Sequence, residues 1–119
     1  MNISGIHASH TKKNFVAYAT SKTAQSGMTR PLAVVPGQLV RINARAPAAV
    51  GTEVLRAGFT ERLEALKQME ALHPVGRMGR PLKVAASALL LAGALSGLIK
   101  ESCMNVDVGI GAGLLEPIP

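Results

Sequence analysis

Apolar and polar residues alternate in one stretch of this chain and recur at helical spacing in others. Residues 39–46 (LVRINARA) alternate strictly, which predicts a strand with one face in water. The apolar side would hold Val40, Ile42, Ala44 and Ala46, and the wet side Arg41, Asn43 and Arg45. Two shorter apolar segments, residues 1–6 and 103–108, read as further strands.

Three segments predict helices. Residues 16–35 form the first, with Pro31 inside it at a cost of roughly 3 kcal/mol. Residues 61–72 (ERLEALKQMEAL) place leucines and Met69 at helical spacing. Residues 82–99 are apolar almost all round but shorter than the ~20 residues that a bilayer requires, so they predict a buried core helix and no membrane span. Residues 48–58 and 73–81 read as loops.

The resulting order is strand, helix, strand, helix, helix, strand. This alternation predicts an α/β fold with a parallel sheet and right-handed crossovers. Three short strands leave two open sheet edges, whereas parallel sheets are normally covered. We therefore interpret residues 1–119 as a single, incomplete domain belonging to a larger sheet.

Charge and cysteine content limit the kinds of function that this chain can have. The net charge is +6, and no acidic residue precedes Glu53. The basic residues are scattered and few aromatic side chains lie among them, which argues against nucleic-acid binding. One cysteine, Cys103, rules out an internal disulfide and favours a reducing compartment, the cytoplasm. The first residues do not predict a signal peptide.

Tyr18 and Lys22 are the first candidates for chemistry. They lie four residues apart, hence on one face of the predicted helix. An ammonium beside a phenol favours the phenolate, which suits general acid/base catalysis. The same spacing also fits a half-buried tyrosine beside a solvated lysine. His7 and His10 have no third ligand nearby, so they are interpreted as solvated loop residues and no metal site is predicted.

Five segments follow one another in a familiar order: NISGIHA, YATSK, RINARAPAAVGT, HPVGRMGRP and NVDVG. Together they resemble the C-terminal half of the short-chain dehydrogenase/reductases, over residues 2 to about 113. The resemblance implies the second half of a Rossmann-like, doubly wound parallel sheet. It also implies an NAD(P)-linked oxidoreductase acting on a small-molecule carbonyl or alcohol.

The resemblance implies roles for individual residues. Tyr18 becomes the catalytic acid/base, and Lys22 assists its ionisation and binds the ribose of NAD or NADP. The nicotinamide and phosphate side of the cofactor contacts Pro47, Val50 and Thr52. The helix from Glu61 becomes part of a substrate lid. The helix from Pro81 and the strand at Asn105 form an interface for a homo-oligomer or for pairing with a full-length relative.

Several positions depart from the family pattern. The catalytic serine lies thirteen residues before the tyrosine, and Gly5 occupies that position. Ser4 is adjacent, but neighbouring strand residues face opposite sides. The glycine-rich pyrophosphate cradle and the catalytic asparagine belong to the family's first half and are missing from this sequence. Other unusual residues are Arg45 for an apolar residue, Lys83 for an acid, and Glu101 and Val108 for glycines.

Three interpretations follow. The chain is an oxidoreductase by resemblance that turns over little or not at all in isolation, because the cradle and the serine are missing. Alternatively it is a non-catalytic module that associates with itself or a relative. The third is a truncated remnant, and the sequence does not decide between the last two.

Overall fold

A three-stranded parallel sheet forms the centre of the protein. The computed structural model describes residues 1–35 and 40–113. Its strands are β1 (Asn2–Ile3), β2 (Ala44–Pro47) and β3 (Cys103–Val106), in the order β1-β2-β3. Asn2 pairs with Ala44, which in turn pairs with Cys103. The predicted α/β architecture is confirmed, and the sheet is open, as expected of part of a larger sheet.

In the described part of the chain, five helices connect and flank the strands. They are α1 (Val16–Gly27), α2 (Thr29–Val34), α3 (Glu53–Ala57), α4 (Leu63–Ala71) and α5 (Pro81–Ala92). Short 3-10 turns cover Ile6–Ala8, Ala94–Ser96 and Ile110–Ala112. The helix predicted over residues 61–72 is confirmed as α4.

The single helix predicted over residues 16–35 is wrong, because the chain breaks at Met28 into α1 and α2. Pro31 is the third residue of α2. In the first turn a backbone N–H has no intrahelical acceptor, so proline forfeits no hydrogen bond there. Pro36 and Gly37, a pair that ends helices, follow the predicted helix and lie outside the described residues.

Helix α3 lies within the segment 48–58 that was predicted to be a loop. Thr52 caps it, because its hydroxyl accepts a hydrogen bond from the Leu55 N–H at 3.2 Å. Glu53 adds a negative charge to the first turn, where the helix dipole favours it. The helix has only five residues, too few for hydrophobic periodicity to reveal it.

The wet face predicted for the second strand is also wrong. Asn43 and Arg45 are buried, and Arg41 is half-buried. Arg41 donates hydrogen bonds to the carbonyls of Leu91 (2.9 Å) and Ser96 (2.8 Å), beside the C-terminus of α5. The polar residues of the alternating pattern therefore face backbone carbonyls of α5 and of the segment after it, which a sequence pattern cannot distinguish from water.

Helix α5 is not the buried core helix that its composition predicted. Within it only Leu91 is buried, while Leu82 and Leu89 expose 68% and 74% of their surface. Leu95 and Leu98, just beyond it, are fully exposed. One side of α5 reaches the sheet through Leu91 and Ser87, and no described element covers Leu82, Leu89 or Leu90. No helix in the described part of the chain combines the length and apolar character that crossing a membrane requires.

Two residues predicted to replace glycines adopt left-handed backbone conformations. Glu101 has φ of 59° and Val108 has φ of 49°. A Cβ atom in this region costs about 1–2 kcal/mol. The structure thus explains why glycine suits both positions.

Glu101→Gly is expected to raise the free energy of unfolding by about 1 kcal/mol, because it removes the Cβ from a left-handed residue that is exposed. Urea unfolding measures the change. Glu101→Ala is the matched control and should alter stability little, since it keeps the Cβ. Equal stabilisation by alanine and glycine would show that the gain comes from losing the carboxylate and not from relieving the backbone.

Candidate active site

A cleft of about 370 Å³ lies beyond the carboxyl ends of β1 and β2. In parallel α/β sheets this is the edge at which ligands bind. Its lining includes Gly5, Tyr18, Pro47, Val50 and Thr52. Lys22 adjoins it, since its side chain packs beside Gly5. Every residue that the resemblance assigned to the site therefore lies in or next to one cleft.

Tyr18 and Lys22 share one face of α1, as their spacing predicted. The Lys22 Nζ atom lies 5.7 Å from the centroid of the Tyr18 ring. It donates hydrogen bonds to the Ile3 carbonyl (3.3 Å) and to Oε1 of Gln25 (3.1 Å). The Tyr18 side chain is about half exposed, so a ligand in the cleft can reach it.

Gly5 leaves space where the family carries its serine. A Cβ atom added there would lie 3.7 Å from Cδ of Lys22 and 3.8 Å from the Pro47 carbonyl oxygen, which is ordinary van der Waals contact. Ser4 does not substitute, because its hydroxyl donates to the Lys22 carbonyl (2.8 Å) and lies 2.7 Å from Oγ of Ser26. Ser4 also lines the cleft, but its hydroxyl is engaged by α1.

The segment from Pro47 to Thr52 offers polar groups to the cleft. Val50 forms an isolated parallel bridge with Gly79, made by the Gly51 N–H and the Ala49 carbonyl, both at 2.9 Å. Because Ala49 and Gly51 make the two hydrogen bonds of this bridge, the N–H of Val50 points away from Gly79. The Thr52 hydroxyl accepts a bond from Leu55 and keeps its own proton to donate.

His7 is a site residue that the sequence did not reveal. Its ring centroid lies 4.9 Å from that of Phe15 and 5.5 Å from that of Tyr18. Burial, and secondly the charge of Lys12, lower the pKa of His7 below its usual value. The prediction of a solvated loop histidine is wrong here, because the 3-10 turn Ile6–Ala8 folds onto the start of α1. Within residues 1–35 and 40–113, no three His, Cys, Asp or Glu residues cluster as a metal site requires.

The sequence of residues 1–111 matches a family model described as enoyl-(acyl carrier protein) reductase. This match extends over nearly the whole chain and includes the cleft. The chain belongs to the short-chain dehydrogenase/reductase family.

Members of the short-chain dehydrogenase/reductase family with solved structures share this fold. Ligand-free aldohexose dehydrogenase of Thermoplasma acidophilum superposes with a TM-score of 0.91 at 31% identity, over 99% of this chain and 49% of that one. ElxO with NADP bound gives a TM-score of 0.85 at 26% identity, over 94% of this chain and 46% of that one.

A curated relative, an uncharacterised oxidoreductase of Mycobacterium tuberculosis, is 33% identical over the whole of this chain and 45% of its own length. The chain therefore spans less than half the length of this relative, and about half or less of the solved structures above.

Proposed function

We propose that this cleft carries out the proton-transfer part of an NAD(P)-linked interconversion of a carbonyl and an alcohol. The observation that carries the proposal is the convergence of Tyr18, Lys22, Pro47, Val50 and Thr52 on one cleft. A module that served only for association would have no need for a tyrosine-lysine pair beside two polar groups directed at a ligand. The convergence therefore favours the oxidoreductase over the non-catalytic alternatives.

The residues present fit the nicotinamide side of NAD or NADP. Val50 and Thr52 line the cleft, and the N–H of the first and the hydroxyl of the second are donors suited to a carboxamide and a phosphate oxygen. Lys22 can exchange its contact with Gln25 for a ribose hydroxyl, since the amide is a side-chain partner. The bound nicotinamide supplies or accepts the hydride. ElxO, of similar fold, binds NADP.

Tyr18 moves the proton. During reduction its hydroxyl protonates the carbonyl oxygen, and during oxidation its phenolate takes that proton back. The nearby ammonium of Lys22 stabilises the phenolate. Gly5 offers no second donor to the carbonyl oxygen, and losing such a donor typically slows an enzyme by about 10²–10³-fold. Slow turnover by this chain is the consequence.

Association through α5 is the second part of the proposal. Exposed leucines on α5 and just after it, together with the open sheet, support pairing with a second copy or a full-length relative.

Cys103 is an exposed free thiol, which suits a reducing compartment such as the cytoplasm.

Titration with NADPH, followed by amide chemical shifts, tests the cofactor site. The shifts should concentrate at residues 47–52, and Lys22→Met should weaken binding about tenfold, since it removes a charged donor. Lys13→Met is the control, because Lys13 is an exposed lysine outside the cleft. Undiminished binding by Lys22→Met, or equal losses in both variants, would contradict the assignment.

A further inference from the structure

A second cavity, of about 440 Å³, adjoins the cleft. The two share part of their lining, so a ligand can extend from one into the other. The shared residues are Ile6, His7, Lys12, Ala48, Ala49 and Met69. A volume of this size accommodates a small organic molecule.

The lining of the second cavity combines apolar and basic residues. The apolar members are Ile6, Ala48, Ala49, Met69, Leu72 and Ile110. The polar side chains are those of His7, His10, Thr11, Lys12 and His73. None of the described residues that line it is acidic. This composition suits a ligand with an apolar body and an anionic group.

Lys12 is the formal positive charge in this lining and lies close to the proposed acid/base. Its Nζ atom is 4.4 Å from the centroid of the Phe15 ring, and the Phe15 ring centroid is 5.7 Å from that of Tyr18. Lys12 and Tyr18 thus contact the same aromatic ring. A molecule whose carbonyl reaches Tyr18 can place a carboxylate at Lys12 when a few bonds separate the two groups.

The histidines of the lining add hydrogen-bonding groups. Nδ1 of the buried His73 lies 2.9 Å from the Met69 carbonyl and donates to it, while its Nε2 is buried without a partner among the described residues. Burial, and secondly the charge of Lys12, lower the pKa of His7 and so disfavour its charged form. One lysine matches one negative charge, so a carboxylate fits better than a phosphate.

We propose that the preferred substrates are apolar carbonyl compounds carrying a carboxylate, with the apolar body in the second cavity and the carboxylate on Lys12. This inference rests on the proposed function for the carbonyl end alone. Binding of the carboxylate itself requires neither cofactor nor turnover, so it can be measured separately.

The test compares 4-oxocyclohexanecarboxylate with its carboxamide, without cofactor, by calorimetry and by the imidazole proton shifts of the histidines. The acid should bind at least about tenfold more tightly, and added salt should reduce the difference. Lys12→Met should abolish the preference. Lys13→Met should keep it, because Lys13 lines neither cavity.

Lys12→Arg tests whether misfolding explains a loss of preference in Lys12→Met. It keeps the charge and should therefore retain the preference for the acid over the amide. Tyr18→Phe should also retain it, which separates this site from the proton-transfer step. Equal binding of acid and amide would overturn the inference, and so would equal losses in the two methionine variants. Neither result would affect the Lys22-dependent NADPH binding that tests the proposed function.

Discussion

Arg45→Met is expected to raise the free energy of unfolding by about 1–4 kcal/mol. Arg45 is completely buried in the central strand, at a position where the family pattern has an apolar residue. Burial lowers the pKa of its guanidinium, and no acidic group among the described residues offsets the effect. Methionine fills a similar volume without a charge, so desolvation of the cation no longer opposes folding.

The contacts of Arg45 do not compensate for its burial. The guanidinium donates to the Ser87 carbonyl and to Sδ of Met104, a weak acceptor. Its Nε is buried without a partner in the described structure. A buried cation that lacks a carboxylate partner is among the costliest arrangements in a protein interior.

Arg41→Met provides the control, because the same substitution in the same segment should have the opposite sign. The guanidinium of Arg41 satisfies carbonyls of Leu91, Gly93 and Ser96, so its loss should lower stability by about 1–3 kcal/mol. Thermal and urea unfolding measure both variants. If Arg45→Met destabilised the protein as Arg41→Met does, the buried arginine would be a net stabilising contact.

Gly5→Ser is expected to raise the rate of ketone reduction by about 10²–10³-fold, because it restores a hydroxyl donor beside Tyr18. Gly5 has extended backbone angles, φ −179° and ψ 161°, which any residue adopts. The space at its Cβ position is open to a side chain at normal contact distances. The substitution should therefore alter stability little.

Gly5→Ala is the matched control, since it adds the same Cβ without the hydroxyl. Its rate should stay within a few-fold of the unaltered protein. Ketone-dependent oxidation of NADPH, followed by absorbance, gives the ratio of the two variants. Similar rates for serine and alanine would mean that position 5 does not face the reacting carbonyl.

The fold was predictable wherever a long periodic segment or a family motif indicated it. The parallel sheet and α4 were expected, and the left-handed backbone at Glu101 and Val108 explains why those positions suit glycine. The errors have physical reasons. The sequence predicted that Arg41 and Asn43 face water, but in the structure they donate to backbone carbonyls. The same polar side chains serve both purposes, so the sequence pattern cannot tell the two apart. Leu82, Leu89 and Leu90 of α5 look like core residues, but no described element covers them.

The candidate site was predictable as far as helical spacing and the family resemblance extend. The spacing placed Tyr18 and Lys22 on one helix face, and the resemblance assigned their roles and showed that Gly5 occupies the position of the serine. The sequence did not identify His7 and Lys12 as lining residues, because a 3-10 turn and an irregular segment bring them to the cleft. No periodicity describes such segments. The sequence feature that could have indicated His7 is Phe15, three residues before Tyr18, because it packs against both His7 and Tyr18.

Tyr18 and Lys22 should still form a proton-transfer site in this cleft, at which Gly5 takes the place of the serine donor. The most direct measurement is cyclohexanone-dependent NADPH oxidation by Gly5→Ser, compared with Gly5→Ser/Tyr18→Phe. We expect a measurable rate in the first variant and a loss of about 10²-fold or more in the second. A rate in Gly5→Ser no higher than in Gly5→Ala, or one that survives the loss of the Tyr18 hydroxyl, would contradict the account.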